Sequence, residues 1–271
     1  MATTSLPTLD NYIEIPATAA DSFRSNGHVL IPGVLDATEV AAWRKVISEA
    51  AMRYNTEHRA LAERDTYGKA FLQIMNLWEV DEGVKQFTLA RRFGKIAAQL
   101  LGVDNVRIYH DQALYKEPGG GLTPWHQDQY YWPLNTPKTV TMWMPLIDIT
   151  EEMGMLTFAS GSQKAGFIGN VAISDESEST FEAFVKEQGY SISRPLTMNA
   201  GDATWHYGWT LHSAPGNESA LTREVMTIIF MADDAVVIEP QNDHQENDRQ
   251  RWLGGLTPGS PAASALNPLV L

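Results

Sequence analysis

Two periodicities divide the chain. Through residues 36–52, DATEVAAWRKVISEAAM, apolar side chains recur at Val40, Trp43, Val46 and Ile47, a spacing that lays one stripe along a helix. Asp36 precedes that stripe and Glu39 follows it by three, the carboxylate form of a capping box, so a helix is predicted to start there. Residues 81–101 repeat the pattern at Val84, Phe87, Leu89, Phe93, Ile96, Ala97 and Leu100, with Gly102 as the stop. A short apolar run, HVLIPGVL, precedes the first helix and reads as a strand.

Beyond residue 105 the segments become short, β-rich and separated by Gly, Pro or acidic turns. Candidate strands are 106–116, 123–128, 138–147, 154–160, 194–199, 203–213 and 223–232. Many short strands with turn signals predict a sandwich or barrel. The acidic stretch 171–191, containing FEAFVKEQ, reads as an inserted helix or lid, and 236–271 as an irregular tail rich in Asn, Asp, Gln, Gly and Pro. The expected fold is α+β and β-dominated, one domain over residues 1–271: a helical layer with a short strand over 1–105, a β core over 106–235, then the tail.

Composition narrows the chemistry. The 271 residues contain no cysteine, which excludes disulfides, thiolate metal sites and cysteine nucleophiles. The N-terminus lacks a basic start followed by an apolar core, and no apolar run approaches the roughly 18 residues of a membrane span, so a cytoplasmic location is expected. A net charge of −13 argues against general binding to nucleic acid or anionic membrane. The expected partner is a small-molecule substrate, with the chain a monomer or small homo-oligomer.

The chemistry-bearing residues cluster in the β-rich part. In TPWHQDQYYWP, residues 123–133, His126 and Asp128 stand two apart. On a strand such residues face the same way, about 6.6 Å apart along the chain, so one metal reaches both. Imidazole plus carboxylate, joined by a distant imidazole, is the facial triad of non-heme Fe(II) oxygenases. The pair alone is weak, because His244 and Glu246 make a similar one in the polar tail, read as solvated surface. GDATWHYGWTLHSAPGN, residues 201–217, offers two further histidines. On a continuous strand His206 and His212 would lie about 20 Å apart and only one would bind the ion, although Gly208 weakens that reasoning. Arg223 opens the apolar strand REVMTIIFMA. A buried guanidinium requires a carboxylate, either that of a dicarboxylate cosubstrate or that of an internal acid.

Taken together, HQDQYYWP, GDATWHYGWTLHSAPGN and Arg223 resemble the phytanoyl-CoA dioxygenase family, and the likeness runs from GHVLIPGVL to the tail. A second His 84 positions beyond Asp128 and an Arg eleven further on follow the family's spacing, which makes His212 the ligand. The resemblance implies a double-stranded β-helix, or cupin-like jelly roll, with flanking helices mainly from the N-terminal third. It implies Fe(II) held by His126, Asp128 and His212, with 2-oxoglutarate and O2 as cosubstrates. The implied reaction is hydroxylation of a small or medium organic metabolite, with release of succinate and CO2. Gln112, Trp143 and Ser213 match or adjoin family positions near the cosubstrate. Lys116 lies further along the strand of Gln112, with a solvated lysine as the alternative reading, and Asn76 is a candidate pocket-lining residue. The carboxylate of Asp128 argues against halogenation. Two departures stand out: Glu152-Met153-Gly154 where many members have Glu-Asn-Gly, and Ala214 where some have Ser. A cupin-like metal isomerase or hydrolase and a non-catalytic jelly-roll binding protein remain the alternatives.

Overall fold

The computed structural model describes residues 5–271; residues 1–4, the start of the stretch read for a leader, lie outside it. In chain order the strands are β1 His28–Ile31, β2 Leu72–Met75, β3 Val106–Lys116, β4 Thr123–His126, β5 Thr139–Pro145, β6 Ile149–Thr150, β7 Thr157–Ser160, β8 Ser191–Ser193, β9 Thr197–Met198, β10 Ala203–Tyr207, β11 His212–Ala214 and β12 Arg223–Ala232. Six form a major antiparallel sheet in the order β1-β10-β5-β12-β3-β2, four a minor sheet in the order β4-β11-β7-β8, and β6 pairs with β9. The result is the expected jelly roll, with helices on the outer face of the major sheet.

The period of two decides what each face carries. Along β12, Met226, Ile228 and Phe230 pack in the helix-covered core, while Arg223 and Thr227 line a cavity on the inner face. On β5, Met142 and Met144 point out and Thr141 and Trp143 in; on β10, Trp205 points out and His206 in. The outer core also holds Trp43, Phe87, Phe93 and Ile96 from the helices. Burying each such side chain contributes about 1.5–3 kcal/mol. A second apolar cluster lies between the sheets, around Trp143, Phe158, Ala214 and Val225.

The first predicted helix is Ala37–Tyr54, and its cap forms as read: Asp36 accepts from the Thr38 and Glu39 amides at 2.8 and 2.9 Å, and Glu39 accepts from the Asp36 amide at 3.0 Å. The second divides into Glu82–Thr88 and Arg91–Leu101, because Ala90 is extended. That break lets Phe87 and Phe93 meet edge to face, ring centroids 4.9 Å apart. The insert contains the helix Asp175–Gln188, whose Phe181 and Val185 pack with Trp125, Ala159 and Leu211. The tail departs from expectation. It carries the helix Asp243–Arg251, capped by Asn242, which the sequence hides because DHQENDRQR has no apolar stripe.

The predicted strand 203–213 is in fact β10 and β11, in different sheets. The chain turns between them, with the Thr210 amide donating to the Tyr207 carbonyl at 2.9 Å. Gly208 is required by space: a Cβ there would lie 2.6 Å from Thr139 Oγ1 and from the Trp132 ring, and 2.7 Å from Gln129 Oε1.

Candidate metal centre

His126 ends β4 and faces His212, which opens β11, across the minor sheet, with ring centroids 4.1 Å apart. Asp128 begins a short 3-10 turn, Asp128–Tyr131, but Gln127 between them is extended, so the strand's alternation continues for two residues. The three side chains each offer one ligand atom, all within 4.8 Å of one another. His126 Nδ1 lies 2.7 Å from the Pro124 carbonyl and His212 Nδ1 2.9 Å from the Thr210 carbonyl. A carbonyl only accepts, so each Nδ1 carries the proton and each Nε2 lone pair is left for a metal.

The charge states suit an ion. Burial opposes ionisation of Asp128, but His212, His126 and His206 outweigh it and hold the carboxyl well below its usual range. Burial and the neighbouring His126 hold His212 well below 6.5, so it is a neutral imidazole. Neutral imidazole and ionised carboxylate are the forms that coordinate metals. Thr141 Oγ1 donates to Asp128 Oδ2 at 3.0 Å and fixes the carboxylate's rotation.

His206 is not remote. The turn at Gly208 brings its ring to 4.4 Å from that of His212, and its Nε2 sits 3.2 Å from Asp128 Oδ2. The separation expected from a straight strand fails because the strand is broken. His206 therefore touches the carboxylate rather than standing among the three convergent donors.

Arg223 and Trp143 line the same cavity, of about 400 Å³. Arg223 is 1% exposed; its Nη1 donates to the Gly154 carbonyl and its Nε has no partner. The guanidinium carbon stands 5.2 Å over the Trp143 ring. Among the described residues no carboxylate lies within ion-pair distance of it, so the internal salt bridge left open by the sequence is absent. Burial lowers its pKa to about 9, which still leaves it charged at neutral pH. Gln112 also lines the cavity and accepts from Gln73 Nε2 at 2.7 Å.

Ser213 is a correction. His212 and Ala214 line the cavity, and Ser213 between them does not, because neighbours on a strand face opposite ways. Lys116 is fully buried rather than solvated, donating to Gly121 O and Thr123 Oγ1; burial and then Arg223 lower it to about 6. Asn76 lies behind the cavity, where its Oδ1 accepts from the Asp111 amide at 3.2 Å.

The outer half of the cavity was largely unread. Among the aromatic residues flanking the candidate ligands in sequence, Tyr131 and Trp132 line it, whereas Trp205 and Tyr207 pack with the helices. Tyr67, Phe71, His110, Ile173, Asp248 and Trp252 complete much of the wall. His244 lines the cavity too, although exposed, while Glu246 pairs with Arg249 on the surface. The one clue to Trp252 is a large aromatic ending a polar run.

A β-helix with two imidazoles and one carboxylate converging beside an unpaired buried guanidinium has the layout of the facial-triad oxygenase class. The chain belongs to the phytanoyl-CoA dioxygenase family, whose model matches residues 23–225. It is 25% identical over 139 residues to a probable alpha-ketoglutarate-dependent hypophosphite dioxygenase of Stutzerimonas stutzeri, covering 49% of this chain and 47% of that protein. It is 30% identical over 155 residues to the L-proline trans-4-hydroxylase of Streptomyces griseoviridis, covering 50% of this chain and 58% of that one. The chain thus spans about half the length of the curated relatives it matches. Among solved structures, the non-heme alpha ketoglutarate dependent carbocyclase SnoK from nogalamycin biosynthesis superposes with a TM-score of 0.77 at 26% identity, over 99% of this chain and 100% of that one. No helix among the described residues is long and apolar enough to cross a membrane.

Proposed function

We propose that the chain is a non-heme Fe(II) and 2-oxoglutarate-dependent dioxygenase, hydroxylating a small or medium organic metabolite and releasing succinate and CO2. His126, Asp128 and His212 hold the iron; Arg223 and Trp143, with Gln112 nearby, serve the cosubstrate. One observation carries the reading: a fully buried guanidinium with an unpartnered Nε shares a cavity with the triad. A buried charge is costly unless it is paired, and a dicarboxylate chelating the metal at one end meets it at the other.

Bound Fe(II) supplies O2 activation coupled to oxidative decarboxylation of 2-oxoglutarate. The chain's residues do the rest. The Nδ1 bonds to Pro124 and Thr210 keep both imidazoles aimed inward, and Thr141 and His206 hold Asp128. Trp143 presents its ring face to the guanidinium, whose carbon lies 5.2 Å from the ring centroid. Tyr131, Trp132 and Trp252 exclude water from the face where a substrate carbon enters.

The test needs no substrate. The purified chain is mixed anaerobically with Fe(II) and 2-oxoglutarate, and the difference spectrum is recorded. The expected result is the weak visible charge-transfer band of chelated 2-oxoglutarate, absent in Asp128→Ala and weakened in Arg223→Ala. Metal binding without the band overturns the reading and favours a cupin-like metal isomerase or hydrolase.

A further inference from the structure

The outer half of the cavity has polar groups of its own, distinct from the candidate metal ligands and Arg223. Asp248, on the C-terminal helix, lines it among Tyr131, Trp132 and Trp252. The carboxylate accepts a hydrogen bond from Tyr109 Oη at 3.0 Å and has no ion pair among the described residues. Arg251 is close in sequence but lies over the Trp252 ring at 4.5 Å. His110, on the cavity wall beside Trp252, is 3% exposed and its buried Nδ1 has no partner.

The charges of the cavity sharpen this. Fe(II) and the 2-oxoglutarate dianion cancel, and Asp128 and Arg223 cancel. Burial lowers His110 to about 3, so it is neutral. Asp248 is the remaining formal negative charge lining the interior side of the wall. Burial raises its carboxyl to about 7, outweighing the Tyr109 hydrogen bond and the nearby Arg251, which both lower it and neither of which forms an ion pair with it. A carboxylate flanked by two indoles and a phenol is the arrangement that recognises an organic cation, through ion pairing and the aromatic faces together.

We propose that the primary substrate carries a protonated amine or related organic cation, which seats against Asp248 between Trp132, Trp252 and Tyr131, with His110 Nδ1 meeting a second polar group. Tyr131 lines the same wall, its hydroxyl held by the Ile173 amide, which donates to it at 2.9 Å. A cation anchored at Asp248 is held from the C-terminal helix, with its carbon skeleton directed into the cavity that the candidate metal ligands also line. This deepens the oxygenase reading and rests on it.

The experiment uses three size-matched probes, benzylammonium, benzyl alcohol and benzoate, with methyl glucoside as a neutral polyol. They are titrated calorimetrically at about pH 8, where Asp248 is ionised, into the anaerobic chain with Fe(II) and 2-oxoglutarate and into the metal-free chain. The charge-transfer band is recorded in every sample. The expected result is that benzylammonium binds at least about tenfold tighter than benzyl alcohol, with benzoate weaker still. Asp248→Asn, which keeps an oxygen for Tyr109, should abolish that preference, and Asp248→Glu should retain it. Equal affinities, a preference insensitive to Asp248→Asn, or methyl glucoside binding in place of benzylammonium would overturn the proposal. An Asp248-dependent cation preference without the band supports the cation site and counts against the oxygenase; the band without the preference does the reverse.

Discussion

The inner and outer halves of the cavity are made from different kinds of chain. The inner half is built from strands of both sheets. His126, His212 and Ala214 come from the minor sheet, Thr141, Trp143, His206, Arg223 and Thr227 from the major. Its candidate metal ligands are tied: both imidazoles to carbonyls, Asp128 to Thr141 and His206. Much of the outer half comes from connections: Tyr67 and Phe71 before β2, Ala172 and Ile173 from the insert, His244, Asp248 and Trp252 from the tail. Chemistry that tolerates no displacement sits on the hydrogen-bonded scaffold, while recognition sits on segments free to vary.

If that division is right, substitutions in the two halves fail differently. The largest effect is Asp128→Ala, which should remove iron binding and with it all 2-oxoglutarate turnover, measured as succinate release; residual turnover would mean that a different carboxylate holds the ion. Next, Arg223→Met should raise the 2-oxoglutarate KM about a hundredfold, the effect of truncating one partner of a buried charge pair, and leave iron affinity alone. His206→Ala removes a contact to Asp128 and should weaken Fe(II) binding about tenfold or more in a metal titration; no change would make it a packing residue.

The outer half should reveal its cost in stability instead. Asp248 titrates near 7 when folded against about 4 when unfolded. The folded chain then binds this proton more tightly, so between those values stability falls as pH rises, and the penalty is complete above about 7. Asp248→Asn should therefore raise the melting temperature of the metal-free chain by about 2–3 °C above that pH, on the order of 1 kcal/mol after solvent screening. The gain should vanish near pH 4; a gain that does not change with pH would point to packing instead. The smallest effect is Ala214→Ser, which places a hydroxyl beside the cosubstrate's end of the cavity. A single added hydrogen bond is worth about 1 kcal/mol, so the 2-oxoglutarate KM should fall about fivefold.

The same division explains what the sequence revealed. The limits read for residues 106–116 and 223–232 coincide with β3 and β12, long strands that alternate against a helical core with one bulge at Tyr109, where the register shifts between Ile229 and Phe230. His126 and Asp128 were legible by the same alternation, which the extended Gln127 carries past the end of β4, whereas His212 and the role of Arg223 were read from the family resemblance. Ser213 failed by one residue, the usual penalty of a period of two. His206 failed because one glycine changed a straight strand into a turn, and only the packing of Trp132, Gln129 and Thr139 around Gly208 explains it. Asp248 was hidden in a helix whose buried side is a single amide, Gln245, and Trp252 at that helix's C-terminal cap.

The turn at Gly208 has a mechanical consequence. It carries the backbone from β10 in one sheet to β11 in the other within a few residues, so an ion at the triad is a rivet through two plates. Two imidazoles belong to one plate, and the carboxylate is pinned to the other by Thr141 and His206. Pulling the plates apart requires the rivet to leave. Iron at a hundredfold excess over its Kd should then add about 2.7 kcal/mol against unfolding, concentrated along this seam. Stripped of metal by a chelator, β4 and β11 should exchange their amide hydrogens well before β3 and β12 do.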